Sequence, residues 1–352
     1  MIIVNFGFYN PKSGGLAKST LLLAKFLINN GISFRVILPK SFRQYEELNE
    51  FHEYVIAANK FKGFFAIIYD VFVQFYIKYN YKSNALVVYD GFWPLIKCSN
   101  VLITVHDLYF IKSRWQFEGF KPALYSFYWK YSLISLVGQR DVCFRFISHT
   151  TEMDFYEVFG RSQPFMKSYM LYHKGFDLKN EVLSTTNVFN SSLITVGSIS
   201  SRKNMDFLVQ TAEINGVDLI VVGANIGEHR HKNSERVTFL GFISNNALKQ
   251  QIVSSVAFVI ASRCEGFSFP VVESLTLGTP VLAPNISVFT ELLPWAFLYE
   301  VDSHTDFLIK FNYIRANRTS VVSRQQAHLK QILNQDDTFE FLSYLGRFTY
   351  ES

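Results

Sequence analysis

The chain has 352 residues, enough for two domains that each bury a core, and its 49% hydrophobic and 18% charged content excludes a disordered protein. Three cysteines, Cys98, Cys143 and Cys264, show no ligand-like spacing, which excludes a disulfide framework and a zinc site. The net charge of +5 is unevenly spread: residues 1–175 hold 20 Lys and Arg against 12 Asp and Glu, whereas residues 176–352 hold 14 against 17.

A basic first half suits an anionic partner such as a membrane surface or a lipid phosphate; solvated lysines on helix faces are the plainer reading. No nucleic-acid-binding motif accompanies the charge, so nucleic acid is not expected as a partner. "MIIVNF" opens without a basic region, so no signal peptide is expected. The longest apolar stretch, Phe64–Ile77, is broken by Asp70 and Gln74 and falls short of the ~20 residues of a membrane span. A cytoplasmic protein is expected, with peripheral contact to the inner face of the plasma membrane through its basic half.

In chain order, short apolar, β-branched or aromatic runs predict strands at 1–6, 33–38, 85–89, 101–105 and 143–147, then at 192–197, 218–223, 236–240, 256–260 and 279–283. Helical patterns lie between them at 16–29, 120–137, 205–214 and 245–254. The alternation predicts an α/β protein with parallel sheets covered by helices on both faces. The polar segment 175–192 separates two doubly wound domains, 1–180 and 181–335, expected to face one another across a cleft. The last helical pattern, within 336–352, is expected to pack back on the first domain.

The first loop, "NPKSGGLAKST" at Asn10–Thr20, looks like a nucleoside triphosphate loop and is not one. Setting the motif's lysine on Lys18 puts Ala17 and Lys12 where both glycines are needed. Gly14 and Gly15 instead form the turn between the first strand and the next helix.

Three further stretches carry candidate chemistry. "VLITVHDLYF" ends a buried strand and brings His106 out at the carboxyl edge of the first sheet. "LITVGSISSRKNMDFLVQTA" places adjacent Arg202 and Lys203 in a strand-to-helix turn, where two cations can hold a diphosphate. "VIASRCEGFSFPVVESLTLGTPVLAP" runs from a strand into a helix that begins near Pro270, with Ser268 or a neighbour as the cap and Glu273 in the first turn. The start of that helix is a ready phosphate site. Glu265 and Glu273 beside it make sense as acceptors for ribose and sugar hydroxyls, though spacing alone equally fits an ordinary strand–loop–helix.

Together, and in this order, these pieces resemble family-4 retaining glycosyltransferases of the GT-B architecture. The family's E-x7-E signature is matched by Glu265 and Glu273, its diphosphate-binding Arg and Lys by Arg202 and Lys203, and its first-domain histidine by His106. The similarity covers roughly residues 100–300 and the opening glycine loop. Two departures stand out: Ser198 follows the strand glycine where many members have Arg, and Ser268 occupies a position commonly held by glycine.

The resemblance implies transfer of a hexose from a nucleotide diphosphate sugar to an acceptor hydroxyl with retention. His106, Arg202, Lys203 and Glu265 would be catalytic, and Gly14, Gly15, Ser198, Gly266, Phe267, Ser268 and Glu273 would bind the donor. No cofactor is expected and no metal, since the chain has no D-x-D; the nucleotide sugar is a substrate. The "HDL" and "RKN" variants look like those of bacterial mannosyl- or related hexosyltransferases of surface polysaccharide and O-antigen assembly, with GDP-mannose or a similar nucleotide sugar as the donor and a glycan or polyprenyl-diphosphate-linked acceptor. The alternatives are a sugar-nucleotide epimerase or phosphorylase of the same fold and a non-catalytic partner subunit. An oxidoreductase ranks last, as no G-x-G-x-x-G follows a strand.

Overall fold

The computed structural model describes residues 1–5, 15–37, 65–80, 85–90, 94, 100–112, 127, 130–161, 167–172, 191–197, 201–223 and 234–349. The chain divides into two units, residues 1–175 with 336–352, and residues 176–335. The boundary expected at 180/181 lies outside the described residues, as do Gly14, Ser198 and Cys98.

The first unit is a parallel sheet of β1 (Ile2–Asn5), β2 (Phe34–Ile37), β3 (Leu86–Asp90), β4 (Asn100–Val105), β5 (Val142–Phe146) and β6 (Lys167–Met170), in the order β2-β1-β3-β4-β5-β6. Its central strands are apolar on both faces because helices cover both. The helix Gly15–Asn29 lays Leu23, Ala24, Phe26 and Leu27 against Ile2 and Val4. The last helix, Thr338–Gly346, adds Phe341, Tyr344 and Leu345 to that same core. The Phe341 ring packs tilted against Phe26, centroids 6.2 Å apart, and edge-on to Tyr169 at 5.7 Å. Asp337 completes the attachment: its N–H donates to the Met170 carbonyl at 2.9 Å, and its Oδ2 accepts from the Met170 N–H at 2.8 Å. That exchange pairs backbone groups at the outer edge of β6.

The second unit is also all parallel: β7 (Leu193–Val196), β8 (Leu219–Val222), β9 (Val237–Gly241), β10 (Ala257–Val259), β11 (Val281–Pro284) and β12 (Leu298–Tyr299), in the order β12-β11-β10-β7-β8-β9. Its carboxyl edge is tight. Gly223, with φ +150°, ends β8 so close to Gly197 that a Cβ would sit 2.0 Å from the Gly197 carbonyl oxygen. Only glycine fits there.

The predicted strands coincide with β1–β5 and β7–β11, and β6 and β12 are additions. β6 carries Lys167, Ser168 and Tyr169 on an edge, and β12 is two residues long, so neither has the apolar run that marks the others. Of the helical pattern at 120–137, residues 127 and 130–136 are helical among those described. Two long helices at the end of the second unit, His304–Ala316 and Arg318–Leu333, were not among the predicted elements. No helix of the described residues is long and apolar enough to cross a membrane.

Candidate functional site

In a doubly wound sheet, ligands bind outside the carboxyl ends of the strands where strand order reverses. In the second unit the reversal lies between β7 and β10. The loops leaving those two strands contain every candidate of that unit except Glu273, which lies on the helix they lead into.

After β7 comes Gly197, then the short 3-10 turn Ser201–Lys203, then the helix Met205–Asn215. After β10 the chain passes Glu265 and enters the helix Phe269–Thr276. The two loops are joined by charge. Lys203 Nζ donates to Glu265 Oε1, and Arg202 Nη1 lies 3.4 Å from Glu265 Oε2 and donates to the Cys264 carbonyl at 3.2 Å. Glu265 is nearly buried, its side chain 8% exposed, while Arg202 and Lys203 retain 30% and 17%. Burial alone would raise the Glu265 carboxyl, but Lys203 and then Arg202 hold it below the ordinary range. Two cations on one carboxylate leave this corner with an excess positive charge.

A second set of contacts fixes the loops. The Arg263 N–H donates to the Arg202 carbonyl at 2.9 Å. Asn204 takes the left-handed conformation (φ 50°) and donates from Nδ2 to Asp302 Oδ1 at 2.8 Å, while Arg263 Nη2 lies 2.8 Å from Asp302 Oδ2. The Gly197 position meets the methylenes of Lys203, with Cε 3.7 Å from where a Cβ would lie. The lysine stem therefore runs along the glycine at the end of β7.

The helix Phe269–Thr276 starts one residue earlier than its proline suggested. Pro270 is its second residue, and Glu273, the fifth, falls outside the first turn, so the expectation that it belongs to that turn is corrected. Ser268 stands at the cap position without capping: at φ 68° and ψ 75° its hydroxyl makes no bond to the helix. The Ser268 Oγ is buried with no hydrogen-bond partner among the described residues. The residue is thus left-handed, buried and polar at the mouth of a helix. Phe267 is buried against Phe269, with ring centroids 5.5 Å apart, so its side chain serves the core. Gly266 is buried beside it.

In the first unit, Gly15 is the exposed first residue of its helix. His106 lies just past β4, half-buried, at the carboxyl edge as predicted, with Nε2 3.5 Å from Asp90 Oδ1. Sequence reasoning missed Asp90 and Arg145, which form a fully buried pair at 3.2 Å. Their signal was present: "LVVYD" and "VCFRF" each carry one charge in an otherwise apolar strand, and a buried charge needs a partner.

Residues 188–316 match the family described as Glycosyl transferases group 1. The chain is 23% identical over 253 residues to the O-antigen biosynthesis glycosyltransferase WclY of Escherichia coli, covering 67% of this chain and 68% of the relative. A shorter segment of 65 residues, 18% of each chain, is 40% identical to the O-antigen chain mannosyltransferase RfbU of Salmonella typhimurium. Among solved structures, Anabaena HepE in complex with UDP and glucose superposes with a TM-score of 0.67 at 18% identity, covering 97% of this chain and 99% of that one.

Proposed function

We propose that this chain, a glycosyltransferase of group 1 with two Rossmann-like GT-B domains, moves a hexose from a nucleotide diphosphate sugar onto a growing surface glycan such as an O-antigen. The observation that carries this reading is the cation pair Arg202–Lys203, held by Glu265 at the strand-order reversal of the second unit, one loop away from the start of the helix Phe269–Thr276. Fixed positive charge and the positive end of a helix dipole are what a leaving diphosphate needs.

In this reading Lys203 and Arg202 neutralise the diphosphate as the glycosidic bond breaks, so a metal is not required. Glu265 keeps both cations aimed and offers its carboxylate to the transferred sugar. The backbone at Gly266 and Phe267 and the Ser268 hydroxyl face the donor, and Glu273 takes the ribose. Gly14, Gly15 and Ser198 complete the donor loops, and His106 contributes from the first unit. We assign retention of configuration and mannose as the sugar; the RfbU similarity supports the sugar, while UDP and glucose in HepE favour testing uridine donors alongside. The lipid-linked acceptor and contact with an anionic membrane are supported by the basic first half and by Phe72, Phe75 and Tyr79, exposed along one helix.

The test is release of nucleoside diphosphate from UDP-glucose, UDP-N-acetylglucosamine and GDP-mannose by the purified chain supplied with a polyprenyl-diphosphate-linked glycan acceptor, followed by NMR of the anomeric proton of the transferred sugar. Release from one donor with an axial product is expected from GDP-mannose. Stabilisation by no nucleotide sugar, together with no release, overturns the reading in favour of a non-catalytic partner.

A further inference from the structure

Among the described residues, three that are not glycine hold a left-handed backbone: Asn204 at φ 50°, Ser268 at φ 68° and Asp302 at φ 60°. All three lie in loops at the carboxyl edge of the second sheet, after β7, β10 and β12 in turn. Backbone strain of this kind collects where a site dictates the conformation. Two of the three are also bonded to one another, since Asn204 Nδ2 donates to Asp302 Oδ1 at 2.8 Å.

Asn204 occupies the cap position of the helix Met205–Asn215, where an asparagine side chain ordinarily accepts from the first N–H groups of the helix. Here it makes no cap bond and reaches across to Asp302 instead. The other oxygen of Asp302, Oδ2, lies 2.8 Å from Arg263 Nη2, and the Arg263 N–H donates to the Arg202 carbonyl at 2.9 Å. Lys203 is therefore bracketed: the residue before it is held by Arg263 and the residue after it by Asp302. The Asp302 carboxylate in turn stands on a fixed base. The Ser303 N–H donates to the Glu300 carbonyl at 3.0 Å, and the Glu300 N–H donates to Asp306 Oδ2 at 2.8 Å. Ser303 Oγ accepts from the Asp306 N–H and caps the helix His304–Ala316.

Stability does not account for this arrangement. The Arg263 and Asp302 side chains are 48% and 44% exposed, and an ion pair so open to water contributes little. The arrangement also leaves one helix without a side-chain cap and two residues left-handed. What it does is tie a third loop to the two that carry Lys203 and Glu265.

We propose that Asp302 is a positioning residue for Lys203: through Asn204 and Arg263 it sets the backbone on both sides of the lysine, so that the ammonium stands where a leaving diphosphate needs it. The inference rests on the reading of Lys203 as a group that neutralises the diphosphate. It adds the anchor that holds the lysine in place, in a loop outside the donor motifs.

Asp302→Gly separates positioning from stability, because glycine adopts φ 60° freely. The full chain with this change should unfold within a few degrees of wild type. Turnover is read as nucleoside diphosphate release from the active donor among UDP-glucose, UDP-N-acetylglucosamine and GDP-mannose, with a polyprenyl-diphosphate-linked glycan acceptor. The kcat of Asp302→Gly should fall about 10- to 100-fold with little change in donor KM. Wild-type kcat overturns the proposal. Asn204→Gly cuts the same bond from its other end and should reproduce the loss, and the two changes together should be no worse than either alone. In a Lys203→Ala background, Asp302→Gly should lower turnover no further.

Losses that multiply in that background would show that Asp302 acts apart from Lys203, and would overturn the proposal while the functional reading stands. Wild-type turnover by Lys203→Ala would remove the role of the lysine itself, and that of Asp302 with it. Should Asp302→Gly fail to fold, Asn204→Gly decides. A fall in its kcat that disappears in Lys203→Ala supports the proposal, and an unchanged kcat overturns it.

Discussion

Lys203 Nζ rests on Glu265 Oε1, joining residues 62 apart in sequence across the strand-order reversal of the second sheet. Because Arg202 remains beside Glu265 when Lys203 is lost, the carboxylate keeps one cation. Lys203→Ala should therefore fold, with thermal unfolding within a few degrees of wild type, and lose about 100-fold or more in turnover. Changing Arg202 and Lys203 together leaves a nearly buried carboxylate alone and should destabilise the second unit by about 3–5 kcal/mol. Nucleoside diphosphate release and calorimetry on both variants separate the two effects.

The same pair sets a pH dependence. The Glu265 carboxyl titrates lower in the folded protein than in the unfolded chain, so the folded state favours its ionised form. Its contribution to stability is fully present above the unfolded value of about 4.3 and is lost as pH falls from there through the lower folded value. Urea midpoints measured from pH 7 to pH 3 should be flat at first and then fall, and Glu265→Gln should flatten the acid limb. Equal acid limbs in the two proteins would rule out this assignment.

Ser268 holds a left-handed backbone without earning a cap bond in return. Glycine adopts that conformation freely, so Ser268→Gly should stabilise the second unit by about 1 kcal/mol, a rise of about 2–4 °C in Tm. If the buried hydroxyl meets the donor, the same variant should bind the nucleotide sugar more weakly. A variant both more stable and less active would identify the strain as the cost of recognition.

Gly223 gives the opposite expectation. A Cβ there would overlap the Gly197 carbonyl, which is backbone and cannot step aside. Gly223→Ala should cost about 3 kcal/mol or more and shift the urea midpoint of the second unit sharply down. A neutral result would mean that the ends of β7 and β8 are free to separate.

Much of this architecture is legible in the sequence because strands buried on both faces announce themselves as apolar runs. "IIVN", "NVLITV" and "LITV" need no tertiary information. The edge strands β2 and β9 do so too, but β6 was missed because Lys167 and Ser168 interrupt any apolar run, and β12 because it is two residues long. The site shows the same divide. Which loops carry Arg202, Lys203 and Glu265 follows from local strand–loop–helix chemistry, but that the three bind one another depends on the strand order β10-β7, which no local pattern encodes. Asp90 and Arg145 were legible as misplaced charges, and their pairing follows from β3, β4 and β5 being neighbours. Asn204 and Asp302, both left-handed, gave no sequence signal beyond the tolerance of those residue types for that conformation.

The final helix has a consequence for how the protein is made. Phe341, Tyr344 and Leu345 fill the same core as Ile2 and Val4, although the whole of the second unit, residues 176–335, is synthesised between them. At about 5–20 residues per second that interval lasts ~10–30 s. For its duration the core that the helix Gly15–Asn29 shares with β1 lacks the three side chains of the last helix, while every residue of the second unit is already made. The unit translated first is the last to be finished.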